Sequence, residues 1–269
     1  MKIDFITFIS KNSADYAEFL KYHCEKLKSG KHKINWKCIE SVGAEKLPKG
    51  FKCVGKTGEA GHNSLNHGVA LNLAQNYVES DYVIFADADI CILYKGWDDI
   101  IINELQKHDC FGASYNDIIK YKNFPNIYLF AFRSYILDKV KLDFSPKLSK
   151  SGKICKIKVN KKQAKIFGLK NGGVLKCDTG WQLPHIIKSK GFTEDTLKAI
   201  PMTSKNSQLP FENNKHKRFC FTHPTHHCEF HYNGKIFATH KQASRVHNIG
   251  GVYGKSWVKR IELYFKGLK

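Results

Sequence analysis

The sequence predicts an α/β protein built on a mostly parallel sheet, and three observations predict it. A strand, a helix and a second strand follow one another within about forty residues, the βαβ opening of nucleotide-binding sheets. Further on, an amphipathic helix (Leu65, Val69, Leu73, Tyr77) leads into an apolar strand, Tyr82-Val83-Ile84-Phe85-Ala86. That strand stops at two carboxylates, Asp87 and Asp89, and ligands of open α/β sheets bind just outside the carboxyl ends of the strands.

Residues 1–9 read as a first strand. They are too short for a signal peptide and carry Asp4 within the apolar run, so a cytosolic protein is expected. Asn12 and Ser13 are good helix starts, and Tyr16, Leu20, Cys24 and Leu27 recur at helical spacing up to Gly30. A second strand is expected over 35–42. The glycine-rich stretch 43–61 is a crossover loop with one short strand near 51–54. Helix is predicted over 97–105, and strands over 111–115, 127–132 and 236–240. Cys155, Ile157 and Val159 alternate with lysines, the pattern of a half-exposed strand or hairpin.

The 269 residues suffice for a substantial core, and 42% hydrophobic residues are ordinary for a globular chain. No apolar run reaches membrane-spanning length. The nine cysteines are scattered and odd in number, which fits reduced thiols. A formal charge of +20 is the main compositional oddity. Lysines spread over solvated surfaces explain it as well as an anionic nucleotide-sugar, an anionic membrane or nucleic acid would.

In an extended backbone Asp87 and Asp89 project to one side while Ala88 turns away. Two carboxylates at the end of a buried strand suit Mn²⁺ or Mg²⁺, and such a cation commonly clamps a diphosphate. The bland reading is a polar exit from the strand. The context Asn66-His67-Gly68, helix, turn, strand, Asp87-Ala88-Asp89 resembles the metal-dependent, inverting family 2 glycosyltransferases of the GT-A fold. The Arg that commonly precedes the Asn is Leu65 here.

That resemblance implies a GT-A domain over 1–250, with a nucleotide-sugar-binding half (1–110) and an acceptor-binding half (111–250). It implies transfer of a sugar from a nucleotide-diphosphate-sugar donor to a glycan, lipid-linked or protein acceptor. Phe8 to Ser10 and Glu40 to Val42 fall where the family holds base and ribose, although Phe8 serves core filling equally well. Asn66, Asp87 and Ala88 would lie on the donor, with Asp87 and Asp89 on the cation. Asp178, in Cys177-Asp178-Thr179-Gly180-Trp181, matches the family's general base; as an alternative or in addition it caps the helix expected after it. His240 would complete the metal shell and Arg245 would touch the diphosphate.

Other classes fit less of the sequence. A nucleotidyltransferase could use the same carboxylates, but no glycine-rich phosphate loop follows the first strand. The stretch 147–176 holds ten lysines, with no aromatic residue between them until Phe167. Single-strand nucleic-acid binding interleaves aromatics with basic residues, so a solvated basic face is the better reading and nucleic acid is not the expected partner. Cys220, His223, His226, His227, Cys228 and His231 are zinc-type ligands in no standard spacing; a His-rich loop on the acceptor side is the alternative. A basic amphipathic helix over 251–269 carries Trp257, Ile261, Tyr264 and Leu268 as a stripe. It would dock on the protein's own core or lie peripherally on an anionic membrane.

Overall fold

Every residue of the first strand except Lys2 is buried, because that strand lies inside a sheet covered on both faces. The computed structural model describes residues 1–115, 119–201, 206–210, 228–241 and 249–267. The chain opens with β1 (Lys2–Ile9), α1 (Ala14–Leu27), β2 (Lys33–Glu40), β3 (Lys52–Lys56), α2 (Asn63–Ala74, extended by a 3₁₀ turn Gln75–Tyr77) and β4 (Tyr82–Asp87). It continues through β5 (Ile90–Ile92), α3 (Trp97–Lys107), β6 (Cys110–Ala113), β7 (Leu129–Arg133) and the short α4 (Ile136–Lys139). Then come β8 (Lys156–Lys158), α5 (Lys161–Phe167), β9 (Val174–Lys176), α6 (Leu183–Ser189) and β10 (Glu194–Pro201). β11 (Cys228–Tyr232), β12 (Lys235–His240) and α7 (Val252–Gly267) complete the described elements.

Ten strands form one mixed sheet in the order β3-β2-β1-β4-β7-β6-β10-β11-β12-β5. β3, β2, β1 and β4 are parallel neighbours. β6, β10 and β12 run the same way as these, and β7, β11 and β5 run against them. The predicted α/β class is therefore the observed one.

Alternation along β4 feeds two cores. Val83 and Phe85 pack with Ala70 and Leu71 of α2, while Ile84 and Ala86 pack with Leu20 of α1 and Ile101 of α3. The same alternation turns Asp87 toward α2. Gly68 lets α2 approach the chain near Phe144, since a Cβ there would stand 2.8 Å from the Phe144 carbonyl oxygen.

The strand predicted to run to Asp89 ends at Asp87. Ala88 and Asp89 form a turn, because Ile90 begins β5 and pairs with His240 of β12 instead. Likewise β7 starts at Leu129 rather than Ile127, the Asn126 side chain accepting the Tyr128 amide in a turn. Among the described residues no helix is long and apolar enough to cross a membrane. α7 packs Trp257 and Ile261 of its stripe against α1: both are fully buried, with Trp257 5.6 Å from Phe19 and 5.9 Å from Tyr16 between ring centroids, while Leu268 lies outside the described residues. That is the docked outcome of the two expected for this helix.

Candidate metal and nucleotide-sugar site

The carboxyl ends of β1, β2 and β4 open into a cleft of about 320 Å³. β1 and β4 are in register with Phe8 opposite Asp87, so both reach its mouth together. The cleft is lined by Phe8, Ser10, Ser13, Ser41 and Val42 together with Asn66, His67, Asp87, Ala88, Asp89, Tyr128 and His240. Ser13 starts α1 and is locked to Ser10, its hydroxyl accepting the Ser10 amide at 2.7 Å and donating to the Ser10 carbonyl at 2.9 Å.

His240 Nε2 lies 3.0 Å from Asp89 Oδ1 and 3.5 Å from Asp87 Oδ2. Single ligand atoms of Asp87, Asp89 and His240 all fall within 4.8 Å of one another. Burial alone would lower the pKa of His240, but Asp89 and Asp87 outweigh it and hold the imidazole well above the ordinary histidine range. Burial would raise Asp87, yet His67 and His240 hold it below the usual carboxylate range. A pocket that favours a proton between two carboxylates favours a divalent cation there for the same reason. Two carboxylates and one imidazole are a donor set that suits Mn²⁺, so these residues fit the metal expected of them. His67 Nε2, 3.2 Å from the other oxygen of Asp87, fixes that carboxylate from the α2 side.

The remaining expected residues fall in three groups. Phe8, Ser10, Asn66 and Ala88 line the cleft; the Asn66 side chain also accepts the Ala60 amide at 2.7 Å and holds the preceding loop. Glu40 ends β2 but turns to Lys56, 2.5 Å away, and its neighbours Ser41 and Val42 face the cleft in its place. Arg245 lies outside the described residues, as do Cys220, His223, His226 and His227 of the Cys/His cluster. Its described members are Cys228, buried at the start of β11, and His231, which pairs with Glu229 at 2.8 Å.

Asp178 stands one step beyond the cleft. It does not cap α6, whose N-cap is Gln182; the loop 179–182 intervenes, and Asp178 Oδ1 accepts the amide of Thr179 at 2.9 Å. Lys120 Nζ and Lys176 Nζ lie 3.1 and 3.3 Å from its Oδ2. Burial raises its pKa, but the two lysines, the Thr179 amide and Ser64 outweigh burial and hold it well below the usual range. Thr179 Oγ1 donates to the Ser64 carbonyl at 2.8 Å, which fastens this loop to the first turn of α2 beside the cleft.

The chain resembles two solved structures over about half their length. One is the mannosyltransferase PcManGT from Pyrobaculum calidifontis in complex with GDP-Man and Mn²⁺, at 15% identity and a TM-score of 0.40, covering 53% of this chain and 47% of that one. The other is S. aureus TarS 1–349 in complex with UDP, at 18% identity and a TM-score of 0.37, covering 54% and 50% respectively. No family model matches the sequence, and no curated protein does.

His67, Tyr128 and Ser13 line the site without having been singled out as site residues. His67 had a signal, since it sits inside the Asn66-x-Gly68 start of α2. Tyr128 had none: its run reads as strand core, and only the turn at Asn126 brings its ring 4.1 Å from that of His240.

Proposed function

We propose that this protein transfers a glycosyl group from a nucleotide-diphosphate-sugar donor to an acceptor hydroxyl, with Mn²⁺ or Mg²⁺ bound. The observation that carries the reading is the convergence of Asp87, Asp89 and His240, from β4, the turn after it and the end of β12, in the lining of the cleft. A bound cation would neutralise the diphosphate as it leaves.

The chain's own residues supply the rest. Ser10 and Ser41 are proposed to meet ribose and base, with Phe8 in the same wall of the cleft. His67 orients Asp87. Arg245 is proposed to face the diphosphate. Asp178 is the proposed base: the acceptor oxygen bonds to the anomeric carbon as its proton passes to the carboxylate and the bond to the diphosphate breaks. Attack opposite the leaving group inverts the anomeric configuration. Lys120 and Lys176 keep Asp178 ionised but weaken it as a base, so its basicity rises when those lysines share their charge with another anion. In this reading 1–110 binds the donor and 111–250 the acceptor.

The test is a panel of UDP- and GDP-sugars incubated with the protein and Mn²⁺, with released nucleoside diphosphate measured by chromatography. Metal-dependent release is expected for at least one donor. Pyrophosphate release from a nucleoside triphosphate and a sugar phosphate, with no diphosphate from any sugar donor, would replace this reading with nucleotidyl transfer.

A further inference from the structure

The lysine-rich stretch ends beside Asp178. β8 and β9 pair antiparallel with Lys156 directly opposite Lys176, and Lys158 opposite Val174. Ile157 and Leu175 take the other face, where Leu175 is fully buried. The outer face of this ribbon is thus basic, and like charges directly opposite one another destabilise a strand pair. A two-stranded ribbon has little to offset that cost.

Lys176 leaves this face to reach Asp178, and Lys120 reaches the same oxygen. The Lys176 amide donates to the Ile119 carbonyl at 2.7 Å, which ties the ribbon to the segment carrying Lys120. Lys120 Nζ lies 4.4 Å from the ring centroid of Tyr115 and 6.0 Å from that of Tyr128, and Tyr128 lines the cleft. Among the described residues Asp178 thus answers two half-buried ammonium groups with one carboxylate, and Lys156 adds a third positive charge across the ribbon. Positive charge kept at some expense in stability beside a reaction site points to an anionic ligand.

We infer that the acceptor is an anionic sugar, bearing a phosphate or carboxylate that Lys120, Lys156 and Lys176 receive while its hydroxyl meets Asp178. This rests on the glycosyl-transfer reading for the hydroxyl, but not for the anion site. The anion shares with Asp178 the charge of these lysines, which selects for acceptors of this class.

Glucose 6-phosphate and glucose, titrated by calorimetry at low and high salt, probe the site without needing turnover. Mn²⁺-dependent UDP binding is measured on the same preparations. The phosphate ester is expected to bind at least about fivefold more tightly than glucose, with the advantage shrinking in salt. Lys156→Glu, which touches neither Asp178 nor the metal residues, should abolish that advantage, leave UDP binding unchanged and melt no lower than wild type, because Glu opposite Lys176 replaces repulsion with attraction. Lys156→Gln serves as the milder variant. Equal binding of ester and glucose, or a Lys156→Glu protein that still prefers the ester, overturns the proposal while UDP binding stands. Capture by phosphatidylglycerol vesicles that is lost in Lys156→Glu, with no sugar-phosphate binding, also overturns it, in favour of a lipid surface. Ester binding that behaves as expected, in a protein that binds no nucleotide, keeps the anion site and removes the glycosyl-transfer reading.

Discussion

His240 Nε2 lies 3.0 Å from Asp89 Oδ1 although 151 positions separate the two residues. The backbone fixes this meeting on both sides: His240 pairs with Ile90, and the Lys241 amide donates to the Asp89 carbonyl at 2.9 Å. The imidazole is thus delivered by sheet pairing rather than by a loop, which is the kind of placement a metal ligand needs.

Asp178→Asn separates chemistry from binding. Turnover at saturating donor should fall by about two to four orders of magnitude, the usual share of a positioned base, with nucleotide affinity retained. Because Asp178 pairs with two lysines and caps no helix, the variant should also lose on the order of 1–3 kcal/mol of stability, read from a urea titration. Near wild-type turnover in the folded variant would remove Asp178 from the chemistry.

What the sequence made legible follows from how local each signal is. β4, α2 and β12 were readable because their signals are local: a run of apolar residues, a helical stripe, a short strand closing on His240. Asp87 and Asp89 stood out on the same grounds, and His240 only through the resemblance. The lysines on Asp178 were not readable, since Lys120 and Lys176 look like any others in a chain so rich in them. β5 is three residues long and gains its identity from β12. α5 was missed although its signal is present: Asn160 and Gln163 form a reciprocal capping box and Gly168 closes the helix at φ 63°.

His23 should make stability depend on pH. It stacks on Phe265 of α7 at 5.2 Å and lies 4.5 Å from Phe19. Burial, with Lys26 nearby, pushes it down to about 4 from an ordinary 6.5. The unfolded chain therefore takes up this proton first, so the contribution is complete above pH 6.5 and is lost as pH falls toward 4. Melting temperature should decline more steeply between pH 7 and 4.5, as the buffer is changed, for wild type than for His23→Phe. Parallel curves would contradict this.

Trp257→Ala tests the docked helix. Trp257 is fully buried and its Nε1 donates to Thr239 Oγ1 at 3.3 Å, next to His240. The variant should lose about 3–5 kcal/mol, measured by chemical unfolding. A variant of unchanged stability that no longer sediments with anionic vesicles would reassign the helix to a membrane surface.

The central claim is that Asp87, Asp89 and His240 bind a divalent cation together with a nucleoside diphosphate. Calorimetric titration of UDP and GDP, with Mn²⁺ and then with EDTA, tests it on wild type and Asp89→Asn. Wild type should bind at least one of the two nucleotides, and bind it about tenfold or more tightly with Mn²⁺. Asp89→Asn should keep its fold by circular dichroism and bind equally weakly with and without the metal. Wild-type binding indifferent to Mn²⁺, or a metal dependence that survives in Asp89→Asn, would contradict the account.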